Sequence, residues 1–242
     1  MIGIFSKTTD SNFIEALGFS GLDFVILDQE HGPVSLETLH NHVRAARCSN
    51  LKSIVRAKGV DSNAIGAALD AGADGVQVPN ISTPEQARQA VRAARFFPQG
   101  NRGVCRFVKA ASFGSMPKQE YFKQSNTRLV VLQVEGKEGI ANLDAILKVE
   151  GYDILFIGPY DLSQSLGIPG EIDHPKMKET MAEVARKAQN QGKQLGAFAD
   201  TLELAREMRA SGFKYLAYSV DVNIFLEAAM RIKEDIANYK LD

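Results

Sequence analysis

Four short runs of apolar, largely β-branched and aromatic residues each break off into polar residues at the C-terminal end. Phe24–Leu27 leads into Asp28-Gln29-Glu30-His31, and Ser53–Val55 into Arg56. Leu129–Leu132 leads into Gln133-Val134-Glu135, and Ile154–Ile157 into Gly158-Pro159-Tyr160-Asp161. Runs of this length and content read as strands buried on both faces, which occur in parallel sheets covered by helices. In such folds the ligand sits at the carboxyl edge of the strands. Two carboxylates, one imidazole and one guanidinium brought to that edge point to a metal-assisted acid–base site.

Strand-like and helix-like segments alternate along the whole chain. The strands are expected at Ile2–Phe5, Phe24–Leu27, around Ile54, Gly75–Val78, Leu129–Gln133, Ile154–Ile157, Leu195–Phe198 and Tyr215–Tyr218. Ser11 can cap a helix that runs through Leu17 and stops at Gly18. Pro33 and Ser35 precede a helix whose Leu36, Leu39, Val43 and Ala46 recur at a helical period. Asp61-Ser62 opens the next, and Thr83-Pro84-Glu85 places a capping threonine before a proline at the first helical position. Further helices are expected through Ile140 to Leu147, Pro175 to Gln191, Thr201 to Gly212 and Val222 to Ile236. The segment from Pro98 to Ser125 has no clean period, and a loop of that length is either functional or ordered by short helices of its own. Eight βα units without a linker predict one α/β domain over residues 1–242, a closed (β/α)8 TIM barrel. A doubly wound open sheet is the alternative, although no GxGxxG follows the first strand.

Composition narrows the partners. The chain has 242 residues, 45% of them apolar and 24% charged, which suits a soluble globular protein with a substantial core. A formal net charge of -1 and scattered basic residues give no case for nucleic acid or an anionic membrane surface. No apolar stretch approaches the ~20 residues of a membrane span, and the N-terminus does not read as a signal peptide. Cys48 and Cys105 lack metal-ligand spacing and read as reduced thiols, so a cytoplasmic location is expected.

Glu135 and Asp161 follow the fifth and sixth strands and become neighbours at a barrel mouth. Two hard oxygen ligands that leave other positions to water and substrate suit Mg2+, Mn2+ or Co2+; either residue could instead cap a following helix. His31 sits at a strand end beside Asp28 and Glu30, where an imidazole can act as acid or base. Arg56 can grip a substrate carboxylate and stabilise an oxyanion, or form a structural ion pair across the mouth. Gln133 shares a face with Glu135 by the period of two. Asp70 ends the third helix and reads by itself as surface charge. No glycine-rich phosphate cradle follows strands seven and eight, and no lysine ends strand six, which disfavours sugar phosphates and a Schiff base there.

In this order and spacing, these motifs resemble the HpcH/HpaI family of class II, metal-dependent pyruvate aldolases. The likeness rests on Asp28-x-Glu30-His31, Val55-Arg56, Leu69-Asp70-Ala71-Gly72, Pro98-Gln99-Gly100-Asn101-Arg102-Gly103-Val104, Gln133-Val134-Glu135 and Phe156 through Ser163, and spans essentially the whole chain. The resemblance implies reversible cleavage of a 4-hydroxy-2-oxo acid to pyruvate and an aldehyde, a carbon–carbon lyase reaction. Oxaloacetate decarboxylation or another condensation of the pyruvate enolate is the alternative. It implies Glu135 and Asp161 as ligands of a divalent metal ion, Arg56 as the group that stabilises the enolate, and His31 as the base with Asp70 as its carboxylate partner. Gln133 and the backbone of Gly158, Pro159 and Tyr160 through Asp161 then position the substrate. It further implies a homo-hexamer that exchanges its last helix between subunits. Tyr160 and Gln29 depart from the pattern and bear on the aldehyde half of the site.

Overall fold

Each apolar run becomes a strand of one parallel sheet: β1 (Ile2–Ser6), β2 (Phe24–Asp28), β3 (Lys52–Arg56), β4 (Gly75–Val78), β5 (Leu129–Val134), β6 (Ile154–Ile157), β7 (Gln194–Ala199) and β8 (Tyr215–Val220). The structure is a computed structural model and describes residues 1–239. Every strand pairs in parallel with the next, and β1 pairs with β8 through Ile2 opposite Leu216 and Gly3 opposite Ala217. The sheet is therefore a closed eight-stranded barrel, and the open doubly wound alternative is excluded.

The helices are α1 (Ser11–Gly18), α2 (Leu36–Cys48), α3 (Ser62–Asp70), α4 (Pro84–Ala94), α5 (Lys118–Ser125), α6 (Lys137–Ala141), α7 (Leu143–Leu147), α8 (Pro159–Ser165), α9 (Pro175–Asn190), α10 (Leu202–Ala210) and α11 (Asp221–Ala237). Caps follow the expected chemistry at Ser35, Asp61, Thr83 and Thr201, whose side chains accept from first-turn amides. Ser11 does not cap α1. Asp10 does, by accepting from Asn12 N–H, while the Ser11 hydroxyl lies 2.9 Å from Nδ1 of the buried His42. The expected helix through Ile140 to Leu147 is broken into α6 and α7 at Asn142, whose side-chain amide donates to the Ser82 carbonyl at 2.8 Å. The irregular stretch is ordered by a 3-10 turn over Lys109–Gly114 and by α5.

The barrel interior is filled from below, leaving only its upper end open. Phe24 stacks on Tyr215 with ring centroids 4.0 Å apart, and Phe156 meets Tyr215 edge-on at 6.0 Å. These rings leave no room for a side chain at Gly196, where a Cβ would come within 2.7 Å of Tyr215 and 2.9 Å of Phe156. Burying each such side chain contributes about 1.5–3 kcal/mol. The outer faces of the strands pack under the helices through Val25, Leu27, Val55, Val76, Leu132 and Leu155. Both faces being largely apolar, the charged and amide side chains gather at or near the carboxyl ends of the strands, and that end becomes the site. No helix of the described residues is long and apolar enough to cross a membrane.

Candidate active site

Strand register sets three polar side chains side by side at the top of the barrel: Asp28 on β2 lies opposite Arg56 on β3, which lies opposite Gln77 on β4. Arg56 is buried, and its Nε and Nη2 donate to the two oxygens of Asp28 at 2.9 and 2.7 Å. Its Nη1 lies 3.1 Å from Glu30 Oε2, and its guanidinium carbon sits 4.7 Å above the Phe5 ring. The structural ion pair considered for Arg56 is thus present. Three nitrogens supply five N–H groups, so donors remain for a ligand. Asp28 and Glu30 gain the role that their sequence positions did not reveal: they orient the guanidinium. Burial would raise the Asp28 carboxyl. The hydrogen bond and charge of Arg56, with His31 N–H and Lys7, outweigh burial and hold it below the usual carboxylate range.

Glu135 follows β5 and is buried. Its Oε1 accepts from Asn80 N–H at 2.9 Å and its Oε2 from the Gln133 amide. Asn80 has a φ of 60° in the left-handed region, which asparagine tolerates better than most residues. That turn lets its backbone hold Glu135 while its side chain donates to Glu30 at 3.0 Å. Gln133 in turn accepts from Gln77, the one polar residue of β4, whose own Oε1 is buried without a partner among the described residues. An amide relay from Gln77 through Gln133 therefore fixes the Glu135 carboxylate. Burial pushes the pKa of Glu135 up to about 7; the Gln133 and Asn80 hydrogen bonds oppose this, and the charges of Asp161 and Glu30 add to it.

Asp161 is exposed in the first turn of α8, a helix that starts directly after the Gly158 strand end. A Cβ on Gly158 would lie 2.6 Å from Glu135 Oε2 and 3.4 Å from Gln133 Nε2. Gly158 has a φ of -90°, which any residue adopts, so a side chain there acts by displacing Glu135 rather than by straining the backbone. Gly158→Ala is expected to leave stability within about 1 kcal/mol while weakening divalent-cation binding about 10-fold or more. Titration calorimetry with Mn2+ checks it, and an unchanged affinity would show that the glycine is not needed to clear the carboxylate.

A pocket of about 130 Å3 opens over Arg56 and Gln133, lined also by Phe5, Lys7, Gly158 through Asp161, and Phe198 among others. Tyr160 is partly exposed at its rim, its ring 6.1 Å from Phe198 and its hydroxyl donating to Asp200. Burial first, then the Asp200 hydrogen bond and charge, push the phenol up to about 12. His31 is at the mouth with its side chain 59% exposed, and Glu30, 3.9 Å away, is its carboxylate neighbour.

Asp70 does not join this group. It ends α3, and helices of a βα barrel run back toward the amino ends of the strands, so it lies at the opposite end of the molecule from His31. There it pairs with the buried Arg102, whose guanidinium covers the Phe96 ring at 4.8 Å. The expected His31–Asp70 pair is absent within one chain.

The donor chemistry of the mouth fits a divalent cation. Glu135 takes its hydrogen bonds from neutral donors only, and two further carboxylates raise the negative potential around it. Among the described residues no three His, Cys, Asp or Glu side chains form a complete ligand cluster. Two carboxylates with the remaining positions left to water and substrate are compatible with that finding.

The chain is similar to known proteins over nearly its whole length. The model of the HpcH/HpaI aldolase/citrate lyase family matches residues 1–228. The chain is 35% identical over 232 residues to the 2-keto-3-deoxy-L-rhamnonate aldolase of Klebsiella pneumoniae, covering 95% of this chain and 86% of that one. It is 33% identical over 234 residues to the 5-keto-4-deoxy-D-glucarate aldolase of Citrobacter koseri, covering 96% and 90%. The crystal structure of an HpcH/HpaI aldolase/citrate lyase family protein from Burkholderia cenocepacia superposes with a TM-score of 0.93 at 33% identity, covering 98% and 95%.

Proposed function

The chain belongs to the HpcH/HpaI aldolase/citrate lyase family and is an aldolase, a carbon–carbon lyase that cleaves a 4-hydroxy-2-oxo acid to pyruvate and an aldehyde; from that premise we propose that its substrate is a 2-keto-3-deoxy sugar acid and assign the residues that act on it. The observation that carries the assignment is the clamped Arg56 guanidinium on one pocket with Asp161, Gly158 and Gln133, the last two adjoining the buried Glu135 carboxylate, which takes hydrogen bonds only from neutral donors. Glu135 and Asp161 would hold the divalent cation, Mg2+, Mn2+ or Co2+. When bound it supplies Lewis-acid polarisation of the 2-oxo acid.

The chain's own groups do the rest. Arg56 directs its remaining N–H groups at the keto oxygen, where negative charge grows as the C3–C4 bond breaks. His31 takes the proton of the C4 hydroxyl, directly or through water, and the aldehyde leaves as its carbonyl forms. Gln133, locked by Gln77, presents one amide orientation to substrate or bound water. The backbone N–H groups of Tyr160 and Asp161 receive the carboxylate, because first-turn amides of a helix have no intrahelical partner; Gly158 and Pro159, the latter without an N–H, shape the turn that presents them. Asp70 can serve His31 only if it comes from a second copy of the chain.

Exchange of pyruvate methyl protons in D2O, followed by NMR with added Mn2+ or Co2+, tests the enolate step without needing the aldehyde. Absence of exchange with either ion would sink the assignment. Oxaloacetate offered alongside 2-keto-3-deoxy-L-rhamnonate and 5-keto-4-deoxy-D-glucarate, the acids named for two relatives, distinguishes cleavage from decarboxylation by rate.

We assign the protein to a homo-oligomer, a hexamer that exchanges α11. Val222, Phe225, Leu226, Met230, Ile232 and Ile236 on that helix are all more than half exposed. A groove of about 860 Å3 lies beside it, bounded by α1 and α10. So large an apolar surface is unusual on a monomer. Phe225→Asp is expected to dissociate the assembly into smaller species by light scattering; an unchanged mass would refute the role of α11. The exposed free thiols of Cys48 and Cys105 support a reducing compartment such as the cytoplasm.

A further inference from the structure

We propose that Lys7 determines specificity at the distal end of the substrate and selects an aldehyde that carries a carboxylate there. The proposal rests on the aldolase reading and names the half of the substrate that reading leaves open. Lys7 follows β1, and in a closed ring of eight strands β1 lies across the barrel from β5, whose end carries Glu135. A 2-oxo acid seated at Glu135 and Asp161 therefore extends its far end toward β1 and β8.

Lys7 lines the same pocket as Arg56 and Asp161, and among the described residues its ammonium makes no hydrogen bond, only a long ion pair. Arg56 is held by Asp28 and Glu30, whereas Lys7 Nζ lies 4.0 Å from Asp28 Oδ2, beyond hydrogen-bond range. Asp28 is already occupied by the guanidinium and by the N–H groups of Glu30 and His31. The root of the lysine is fixed. Its N–H donates to both oxygens of the buried Asp221 at 3.1 Å, and Ser6 Oγ donates to the same carboxylate at 2.6 Å. The surrounding wall is Phe5, Phe198, Val220 and Tyr160, whose hydroxyl is turned to Asp200. A terminal carboxylate entering here meets one positive partner on an apolar wall, while a hydroxymethyl or methyl end gains no charge-assisted bond.

The test joins pyruvate to a matched pair, tartronate semialdehyde and glyceraldehyde, which differ in ending as carboxylate or hydroxymethyl. The full-length enzyme with Mn2+ is expected to favour the semialdehyde in kcat/KM. Lys7→Met should reduce that preference about 10- to 100-fold, chiefly through KM, and Lys7→Arg should retain most of it. An unchanged preference in Lys7→Met, with both aldehydes slowed alike, would overturn the proposal and leave Lys7 as a support for Asp28. A wild-type preference for glyceraldehyde would overturn it too, as would a pyruvate adduct on Lys7 after borohydride reduction. If the wild-type enzyme exchanges no pyruvate methyl protons and condenses with neither aldehyde, the aldolase assignment itself fails, and the proposal with it.

Discussion

Arg56→Ala is expected to cut pyruvate methyl proton exchange by about 100- to 1,000-fold and to destabilise the fold by about 3–5 kcal/mol. The two effects have different origins. The rate falls because the donors aimed at the developing oxyanion are gone. The stability falls because Asp28, fully buried, loses both of its strongest hydrogen bonds and becomes an unpaired charge. Pairing the change with Asp28→Asn removes that stranded charge. The double variant should therefore recover a large part of the melting temperature and none of the exchange rate. Chemical denaturation and NMR exchange on the single and double variants read the two quantities separately. Recovery of exchange in the double variant would show that Arg56 acts only by holding the barrel mouth together.

The second large effect follows from Glu135. Its folded pKa of about 7 stands above the ordinary carboxylate value of 4.5. Between these two values the folded protein keeps a proton that the unfolded chain has released. Stability of the metal-free protein must therefore fall as pH rises through that window, by about 3 kcal/mol in all. The contribution is fully present below about pH 4.5 and gone above about pH 7. Glu135→Gln is neutral throughout and should lack this decline. Denaturation of the two proteins in chelator from pH 5 to 8 gives the difference; parallel profiles would show that Glu135 ionises normally. A divalent cation competes with the same proton, so Mn2+ affinity should weaken about 10-fold for each pH unit below 7. Calorimetric titrations at pH 6 and 8 check that slope.

Much of this molecule is legible from sequence because the signals are local. Phe24 to Leu27 and Ile154 to Ile157 read as strands from a handful of consecutive side chains, and Thr83-Pro84 marks a helix start within a single turn. Glu135, Gln133 and Arg56 could be picked out because each is polar just where such a run ends. Gln77 carries a further signal: one amide inside a strand buried on both faces needs a partner, and Gln133 supplies one. Topology separates Asp70 from His31 within one chain. A residue that closes a helix after strand three belongs at the amino end of the barrel, however well its motif matches.

What sequence by itself determined was the alternation of strand and helix, the choice of the strand carboxyl edge for chemistry, and the identity of the groups that reach it. Those depend on periodicity and on caps, which act over a few residues. Tertiary structure alone decided that the sheet closes and that β1 faces β5 across the mouth. It also decided that Asp28 and Glu30 hold Arg56, and that Glu135 sits buried with only neutral hydrogen-bond donors. Such pairings depend on strand register and on burial, which are set jointly by residues far apart in the chain. The same carboxylate has an ordinary pKa in water and is pushed up to about 7 by burial in the fold, so its chemistry belongs to the folded barrel rather than to its position in the sequence.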